Sequence, residues 1–317
     1  FVQRGGLVDL TTPSVAFNNA GVGFMIAGGS GTEGRYVLEG GELITCPTWP
    51  AYVSGNYARG VFCQSGGTST FYGLTLSMPS STGFGGVLLS NGTLRVNSTV
   101  AKGDGNGSVE LSGGRVEMLA NGAVFAQDVP VTLATGPLGG VAFAQAQANH
   151  TSTLPGTLSG SGGLVQEGPG TLALNGVNAF DGSVTVKGGT LLVSTPLQNT
   201  ADLYVDGGRL ELLAEVPSLT NLSVRAAGST VRIDHAARPF PEGLTLSLSQ
   251  GLVTDLDFDG IEDVDRLVLN GEAKSPGLYG GVASQAPASP SSAYFTGTGT
   301  LRVLYGPAPR GTMILLK

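Results

Sequence analysis

The sequence predicts an all-β chain that folds as a right-handed parallel β-helix, a β-solenoid, with a C-terminal β-rich cap. Three observations lead to this prediction: an excess of glycine, a shortage of charge, and a short strand pattern that recurs along the chain. Glycine accounts for 52 of 317 residues, charged residues for 12% and hydrophobic residues for 41%. Because glycine destabilises a helix by about 1 kcal/mol per position relative to alanine, long helical bundles are excluded.

The composition also excludes several classes of protein. The hydrophobic content is too high for a disordered chain, and glycine does not recur at every third position as it does in collagen. The net charge of −7 argues against a nucleic-acid partner, because such proteins present basic surfaces. No run approaches the roughly 18 apolar residues of a membrane span, so we expect none.

A pair of glycines, or Asn-Gly, repeatedly precedes a short strand of alternating apolar residues. These segments are 40–44, 91–96, 113–119, 162–165, 188–193 and 207–212. Their irregular spacing is close to the period of about 20–29 residues that is typical of solenoid coils. One coil cannot bury its own apolar side, whereas a stack with strands about 4.8 Å apart can. The glycines lie between strands, where tight corners require a positive φ.

The main alternative is a β-sandwich or propeller, which would use hairpin turns and longer strands. We expect the solenoid to span residues 1–250, with 1–72 as a candidate N-terminal capping region. Residues 251–317 are expected to form a C-terminal β cap and a terminal strand.

The most specific motif lies in residues 170–194, which read GTLALNGVNAFDGSVTVKGGTLLVS. A Gly-Thr-Leu-x-Leu strand at Thr171–Leu174 precedes an Asn-x-aromatic-x-Gly turn at 178–182. A second strand at Val184–Val186 and a Gly-Gly-Thr-Leu sequence at 188–191 follow. This segment resembles the autotransporter-associated β-strand repeat, which implies a passenger-type β-helix.

The last part of the chain resembles the endings of large secreted proteins that carry this repeat in Verrucomicrobia-like bacteria. The similar features are an acidic turn at 257–262, Asn-Gly at 270–271, Gly-Leu-Tyr-Gly at Gly277–Gly280 and Gly-Thr-Gly-Thr-Leu at 297–301. The resemblance implies a secreted protein, extracellular or at the cell surface, with a surface or structural role. It implies no catalytic activity.

We expect the chain to be a subunit of a self-assembling extracellular fibre or surface layer, with other copies of itself as partners. The open ends of a solenoid expose unpaired strand edges that a second copy can cover. A Pro-rich spacer at 306–309 precedes an apolar strand, formed by Thr312, Met313, Ile314, Leu315 and Leu316. This strand can add to the sheet of a neighbour, and the alternative is a last strand packed on its own cap.

A monomeric surface adhesin or glycan-binding passenger is the alternative function, with surface glycans as partners. Its contact patch would be formed by aromatic residues, namely Trp49, Tyr52, Tyr57, Phe71 and Tyr72. Aromatic side chains offer large apolar faces for such contacts. An N-terminal cap or an internal packing interface explains the same cluster.

A polysaccharide lyase or hydrolase is the second alternative, although we do not expect an enzyme. Arg225, Arg232 and Arg238 would have to face a groove together with Asp234. Glycoside hydrolysis requires two carboxylates at a defined separation. No such pair recurs on one face of the predicted solenoid outside residues 255–265.

The acidic run at 255–265 begins like an EF-hand calcium loop, with Asp255, Asp257 and Asp259 at alternate positions. Arg266 stands at position 12, where that loop requires a bidentate glutamate. The three aspartates therefore remain candidate ligands of a looser calcium site, and the alternative is an exposed acidic turn.

Two cysteines, Cys46 and Cys63, are present. In a secreted chain they can form one disulfide, which would link adjacent coils. Two buried free thiols are the alternative.

Overall fold

The computed structural model describes residues 1–11, 22–136, 140–234, 240–249, 253–286 and 293–307. In these ranges the chain forms 36 short β-strands and no α-helix. The described chain accordingly contains no helix that is long and apolar enough to cross a membrane. The all-β prediction is confirmed.

The first twelve strands are β1 (Val2–Gln3), β2 (Leu7–Asp9), β3 (Phe24–Ala27), β4 (Glu33–Leu38), β5 (Glu42–Ile44), β6 (Ala51–Ser54), β7 (Arg59–Gln64), β8 (Thr68–Phe71), β9 (Leu74–Ser77), β10 (Phe84–Leu89), β11 (Thr93–Val96) and β12 (Thr99–Ala101). The next twelve are β13 (Asn106–Leu111), β14 (Arg115–Met118), β15 (Val124–Phe125), β16 (Val131–Leu133), β17 (Gly140–Gln145), β18 (Thr151–Leu154), β19 (Leu158–Gly160), β20 (Gly163–Gln166), β21 (Thr171–Leu174), β22 (Asn178–Phe180), β23 (Val184–Val186) and β24 (Thr190–Val193). The last twelve are β25 (Asp202–Val205), β26 (Arg209–Leu212), β27 (Asn221–Val224), β28 (Thr230–Ile233), β29 (Thr245–Leu248), β30 (Val253–Leu256), β31 (Ile261–Val264), β32 (Arg266–Leu269), β33 (Glu272–Ala273), β34 (Gly277–Gly280), β35 (Phe295–Gly297) and β36 (Thr300–Val303).

Successive strands wind through three parallel sheets, and each coil stacks on the coil before it. Sheet A has eight strands in the order β1-β4-β7-β10-β13-β16-β19-β22. Sheet B has thirteen, in the order β2-β5-β8-β11-β14-β17-β20-β23-β25-β27-β29-β32-β33, and sheet C has twelve, in the order β3-β6-β9-β12-β15-β18-β21-β24-β26-β28-β30-β35. A small sheet D contains β31, β36 and β34. This is the β-solenoid that the sequence predicted.

Alternation along each strand builds the core of the solenoid. In β26, Leu210 and Leu212 are fully buried, whereas Arg209 and Glu211 point outward. The inward residues of successive coils stack in register, as Leu94 does on Val116. Burying one such side chain contributes about 1.5–3 kcal/mol, so the column of buried aliphatic residues holds the coils together.

A column of glycines forms the corner between sheets A and B. Gly6, Gly41, Gly67, Gly92 and Gly114 occupy equivalent turns, with φ between +65° and +85°. A Cβ atom on Gly41 would lie 2.3 Å from the carbonyl oxygen of Gly6, and one on Gly92 would lie 2.6 Å from that of Gly67. The corner therefore requires glycine both for its backbone conformation and because successive turns pack directly on each other.

The strands at both ends of the described chain pair within the main sheets. In the described part of residues 1–72, β1–β8 pair within sheets A, B and C. Beyond residue 250, β30 and β32 pair in parallel with the preceding coils. Antiparallel pairing begins with β33 and β34.

Candidate ligand-binding surface

The predicted aromatic patch is not a continuous surface. Phe71 is fully buried in the core, and only Tyr57, which is 65% exposed, projects freely into solvent. Tyr52 lies on β6, Tyr72 follows β8 and Trp49 lies in the loop before β6, all three half-buried. Among the described aromatic residues, none of these three has a ring contact with another member of the predicted patch. The five residues therefore do not share one exposed surface.

Phe71 belongs instead to an aromatic cluster inside the first coils. Its ring packs edge-on against Phe62 at a centroid distance of 5.3 Å and against Phe24 at 5.9 Å. Tyr36 packs on Phe24 and Phe62 and donates a hydrogen bond from its hydroxyl group to Oε1 of Gln3. Burial raises the pKa of Tyr36. The register that pairs Phe71 with the buried Val96 places it inward.

The two cysteines are free, and the structure does not join them. Sγ of Cys46, just after β5, lies 3.2 Å from Oγ1 of Thr48. Cys63 lies on β7 in sheet A, where its Sγ accepts a hydrogen bond of 3.0 Å from Nε of Arg35. The two thiols thus face different neighbours, one after β5 and one on β7, and the structure contains two buried free thiols.

The structure does not assemble the predicted calcium site. Asp257 forms an ion pair of 2.8 Å with Arg232, Asp255 accepts a hydrogen bond from Oγ1 of Thr296, and Asp259 is exposed in the following turn. In the part of the chain that the structure describes, no three acidic, histidine or cysteine side chains are grouped to hold a metal ion. The hydrogen bond with Asp257, followed by the charges of nearby carboxylates, raises the pKa of Arg232.

The arginines considered for an enzymatic groove are used in ion pairs. Arg232 also contacts Asp234 at 2.6 Å, and Arg225 forms two hydrogen bonds with Asp206. Arg238 lies outside the described residues. The predicted self-assembly strand at 312–316 lies outside them as well.

A groove on the outer face of sheet A is the surface with free binding groups. It crosses β4, β7, β10 and β13 and has a volume of about 320 Å³. It is lined by Arg35, Arg59, Val61, Cys63, Phe84, Gly86, Val87, Leu88, Ser108 and Glu110. The register places Gly86 between Val61 and Ser108, and Leu88 between Cys63 and Glu110. Its floor is therefore apolar, and its polar groups lie at the sides.

Gly86 lies in the floor of the groove and is covered by two neighbouring side chains. A Cβ atom there would point outward, 3.3 Å from Cε1 of Phe84 and 3.7 Å from Cγ1 of Val61. The neighbouring Gly85 faces the other way, since a Cβ atom on it would lie 1.8 Å from the carbonyl oxygen of Leu76. Gly85 is thus required by the fold, whereas a larger side chain at Gly86 would crowd the Phe84 ring and enter the groove.

Two guanidinium groups in this groove are held in place without a carboxylate partner. Nε of Arg35 donates to the Cys63 thiol, and the guanidinium carbon of Arg59 lies 4.6 Å from the centre of the Phe84 ring. Three arginines within the described ranges form no ion pair, namely Arg35, Arg59 and Arg266. The seven others do: Arg4, Arg95, Arg115, Arg209, Arg225, Arg232 and Arg302. The groove combines two of these unpaired cations.

A second hollow of about 310 Å³ lies near the C-terminal end, between Phe240, Ile261 and Tyr305. Its arginine, Arg302, forms two hydrogen bonds of 2.7 Å with the carboxylate of Asp263. The hydrogen bond with Asp263 and its negative charge raise the pKa of Arg302. The arginine of this hollow is therefore already paired with a carboxylate, and we regard the sheet A groove, whose arginines form no ion pair, as the candidate site.

Sequence reasoning missed this groove, although a signal was present. In a strand with one buried face, apolar residues alternate with polar ones. Strands β7 (RGVFCQ) and β10 (FGGVLL) are apolar at both sets of positions. The second set, which includes Val61, Cys63 and Leu88, forms the floor of the groove.

Comparison with known proteins agrees with this architecture. A model of the passenger-associated transport repeat matches residues 164–193, which contain β21–β24 and all but the last residue of the motif at 170–194. Over 144 residues the chain is 31% identical to the adhesin BmaC autotransporter of Brucella suis biovar 1 (strain 1330). The alignment covers 45% of this chain and 4% of that protein. No solved structure matches the chain.

The matched repeat coincides with one regular part of the stack. Its strands β21 and β24 pair in parallel over four residues, from Thr171 with Thr190 to Leu174 with Val193. The same coil geometry continues before and after it in sheets B and C. The chain therefore contains a passenger-associated transport repeat within a β-helix, and it is similar in part to an autotransporter adhesin.

Proposed function

We propose that the chain is a secreted or surface-exposed adhesin module, in which the solenoid presents the sheet A groove to a binding partner. The similarity to an autotransporter adhesin carries this proposal. The groove supports it, because an apolar floor with fixed polar groups at its sides is the usual composition of a ligand site. The partner we propose is a surface glycan.

We propose a binding role rather than a catalytic one. Glycosidic bond cleavage in most hydrolases uses a pair of carboxylates on either side of the bond. The groove is lined by a single carboxylate, that of Glu110. Glu117 on sheet B and Glu211 on sheet C are each paired with an arginine.

Adhesion of protein-coated beads tests this function. Beads carrying the purified chain are expected to bind cultured epithelial cells, and Gly86→Leu is expected to reduce binding because its side chain fills the groove. Gly5→Leu is a suitable control, since an added Cβ there meets no atom within 4 Å and Gly5 has no positive φ. Beads that bind no more than albumin-coated beads, or equal loss with both variants, would contradict the proposal.

Assembly into a fibre is a second candidate, supported by an exposed strand edge in sheet D. Its outer strand β31 has a neighbour on one side only among the described strands, and Ile261 on that strand is 43% exposed. We propose that another copy covers this edge, because exposed strand edges pair readily. Negative-stain microscopy and light scattering test it: filaments are expected, and a monomer at all concentrations would refute it.

A further inference from the structure

We propose that the sheet A groove binds an acidic polysaccharide in which uronic acids alternate with neutral sugars. This inference rests on the proposed function, since it names the class of ligand for that surface. It is carried by the two unpaired arginines, the apolar floor and the distribution of charge along the groove.

The arginines provide a prearranged site for one carboxylate. Arg35 is anchored through Nε to Cys63, and Arg59 is stacked on Phe84, so each keeps its terminal N–H groups for a ligand. A guanidinium group binds a carboxylate through two parallel hydrogen bonds, which are stronger than neutral ones. Because both side chains are already positioned, binding costs less conformational entropy than with free side chains.

The floor fits the apolar face of a sugar ring. Val61 and Leu88 line the groove on either side of Gly86, and Leu88 is 37% exposed. The groove crosses four strands, which at about 4.8 Å per strand gives a length on the order of 14 Å. It is therefore an extended surface suited to a chain of sugars. Ser108 and Glu110, at the far end, can form hydrogen bonds with sugar hydroxyl groups.

The charges along the groove argue against a densely charged polymer. Arg35 and Arg59 lie at one end, on β4 and β7, and Glu110 lies at the other, on β13. Glu33 neighbours Arg59 in register without forming an ion pair with it. A uniform polyuronate would bring further carboxylates toward Glu110, and like charges repel. A polymer with a neutral sugar between its acidic ones avoids that repulsion.

Calorimetry with a hyaluronan octasaccharide tests the inference on the full chain. The wild type is expected to bind it, and Arg35→Ala or Arg59→Ala is expected to weaken the Kd at least tenfold. Arg95→Ala is the matched control, because it removes an equal charge from the outer face of sheet B, where Arg95 is paired with Glu117. Circular dichroism verifies that every variant folds.

Two further sugars determine what the groove recognises. The same octasaccharide with its carboxyl groups reduced to alcohols is expected to lose at least tenfold in affinity, and oligogalacturonate is expected to bind more weakly than hyaluronan. Absence of wild-type binding, equal binding of the reduced sugar, or an equal effect of Arg95→Ala would overturn the inference. Tighter binding of oligogalacturonate would overturn the assignment of an alternating polymer.

The bead assay separates this inference from the proposed function. If beads bind cells and Gly86→Leu abolishes this binding while hyaluronan does not bind, the adhesin function stands and the glycan assignment is wrong. If hyaluronan binds and the beads do not adhere to hyaluronan-bearing cells, the ligand assignment stands and the adhesin function is wrong.

Discussion

Replacing Gly92 with alanine tests whether the glycine column at the corner of sheets A and B limits the stacking of coils. Gly92 has a φ of +85°, and an added Cβ would lie 2.6 Å from the carbonyl oxygen of Gly67. Gly122 provides a matched control, because its φ is +80° and an added Cβ would meet no atom within 4 Å. The two substitutions share the conformational strain, and only Gly92→Ala adds the clash.

The expected magnitudes follow from these two contributions. A side chain in the left-handed region costs about 1–2 kcal/mol, and forcing extra volume into a packed site costs about 1–3 kcal/mol. Gly92→Ala is therefore expected to lower the free energy of unfolding by about 2–5 kcal/mol, and Gly122→Ala by about 1–2 kcal/mol. The gain from a less flexible unfolded chain applies equally to both variants.

Urea unfolding followed by circular dichroism measures the overall loss, and hydrogen exchange with mass spectrometry locates it. In a stacked repeat, each coil contacts only its neighbours, so faster exchange in Gly92→Ala is expected in β8, β11 and β14. Equal destabilisation by the two substitutions, or a loss of protection spread evenly over the chain, would refute the role of the glycine column.

Three further predictions concern titration, metal and thiols. Burial raises the pKa of Tyr36 above its ordinary value of 10.0, so the folded chain holds this proton more tightly than the unfolded chain. The stability that this contributes is complete below pH 10 and is lost as the pH rises above it. Tyr36→Phe should remove that part of the alkaline unfolding transition. Millimolar calcium should leave the unfolding midpoint unchanged, and a rise of the midpoint with calcium would contradict the pairing of Asp257 with Arg232. Asp257→Asn should lower the free energy of unfolding by less than about 1 kcal/mol, because this ion pair is partly exposed. Ellman's reagent should detect two free thiols, those of Cys46 and Cys63, after unfolding without reductant. Detection of no free thiol would indicate a disulfide.

The local patterns that predicted the fold are those that depend on neighbouring residues. Glycine before each strand supplies the positive φ of the corner, and Gly41 and Gly92 adopt it. Alternation in segments such as Thr190–Val193 predicts which side chains are buried, and Leu191 and Val193 are. Both features can be predicted from the sequence because the physical cause lies within a few residues of the effect.

The candidate site could not be predicted from the sequence, because it depends on contacts between residues that are distant along the chain. The glycan-patch alternative places Phe71 at the surface, whereas its register with Val96 directs it inward. Arg35, Arg59 and Glu110 come from three different strands, and only their stacking in one sheet brings them to one groove. Likewise, the sequence does not show that Asp257 is paired with Arg232. Such pairings depend on the number of residues in each coil, which varies along this chain.

By itself, the sequence determined that this glycine-rich, weakly charged chain forms stacked parallel coils and contains an autotransporter-type repeat. Glycine frequency and alternation are sufficient for this, because turn conformation and strand burial are local properties. The tertiary structure decided which arginines lack a carboxylate, which cysteines lie apart and where the surface is open. Those properties depend on register between coils, and a shift of one residue would turn every side chain of a strand to the opposite face.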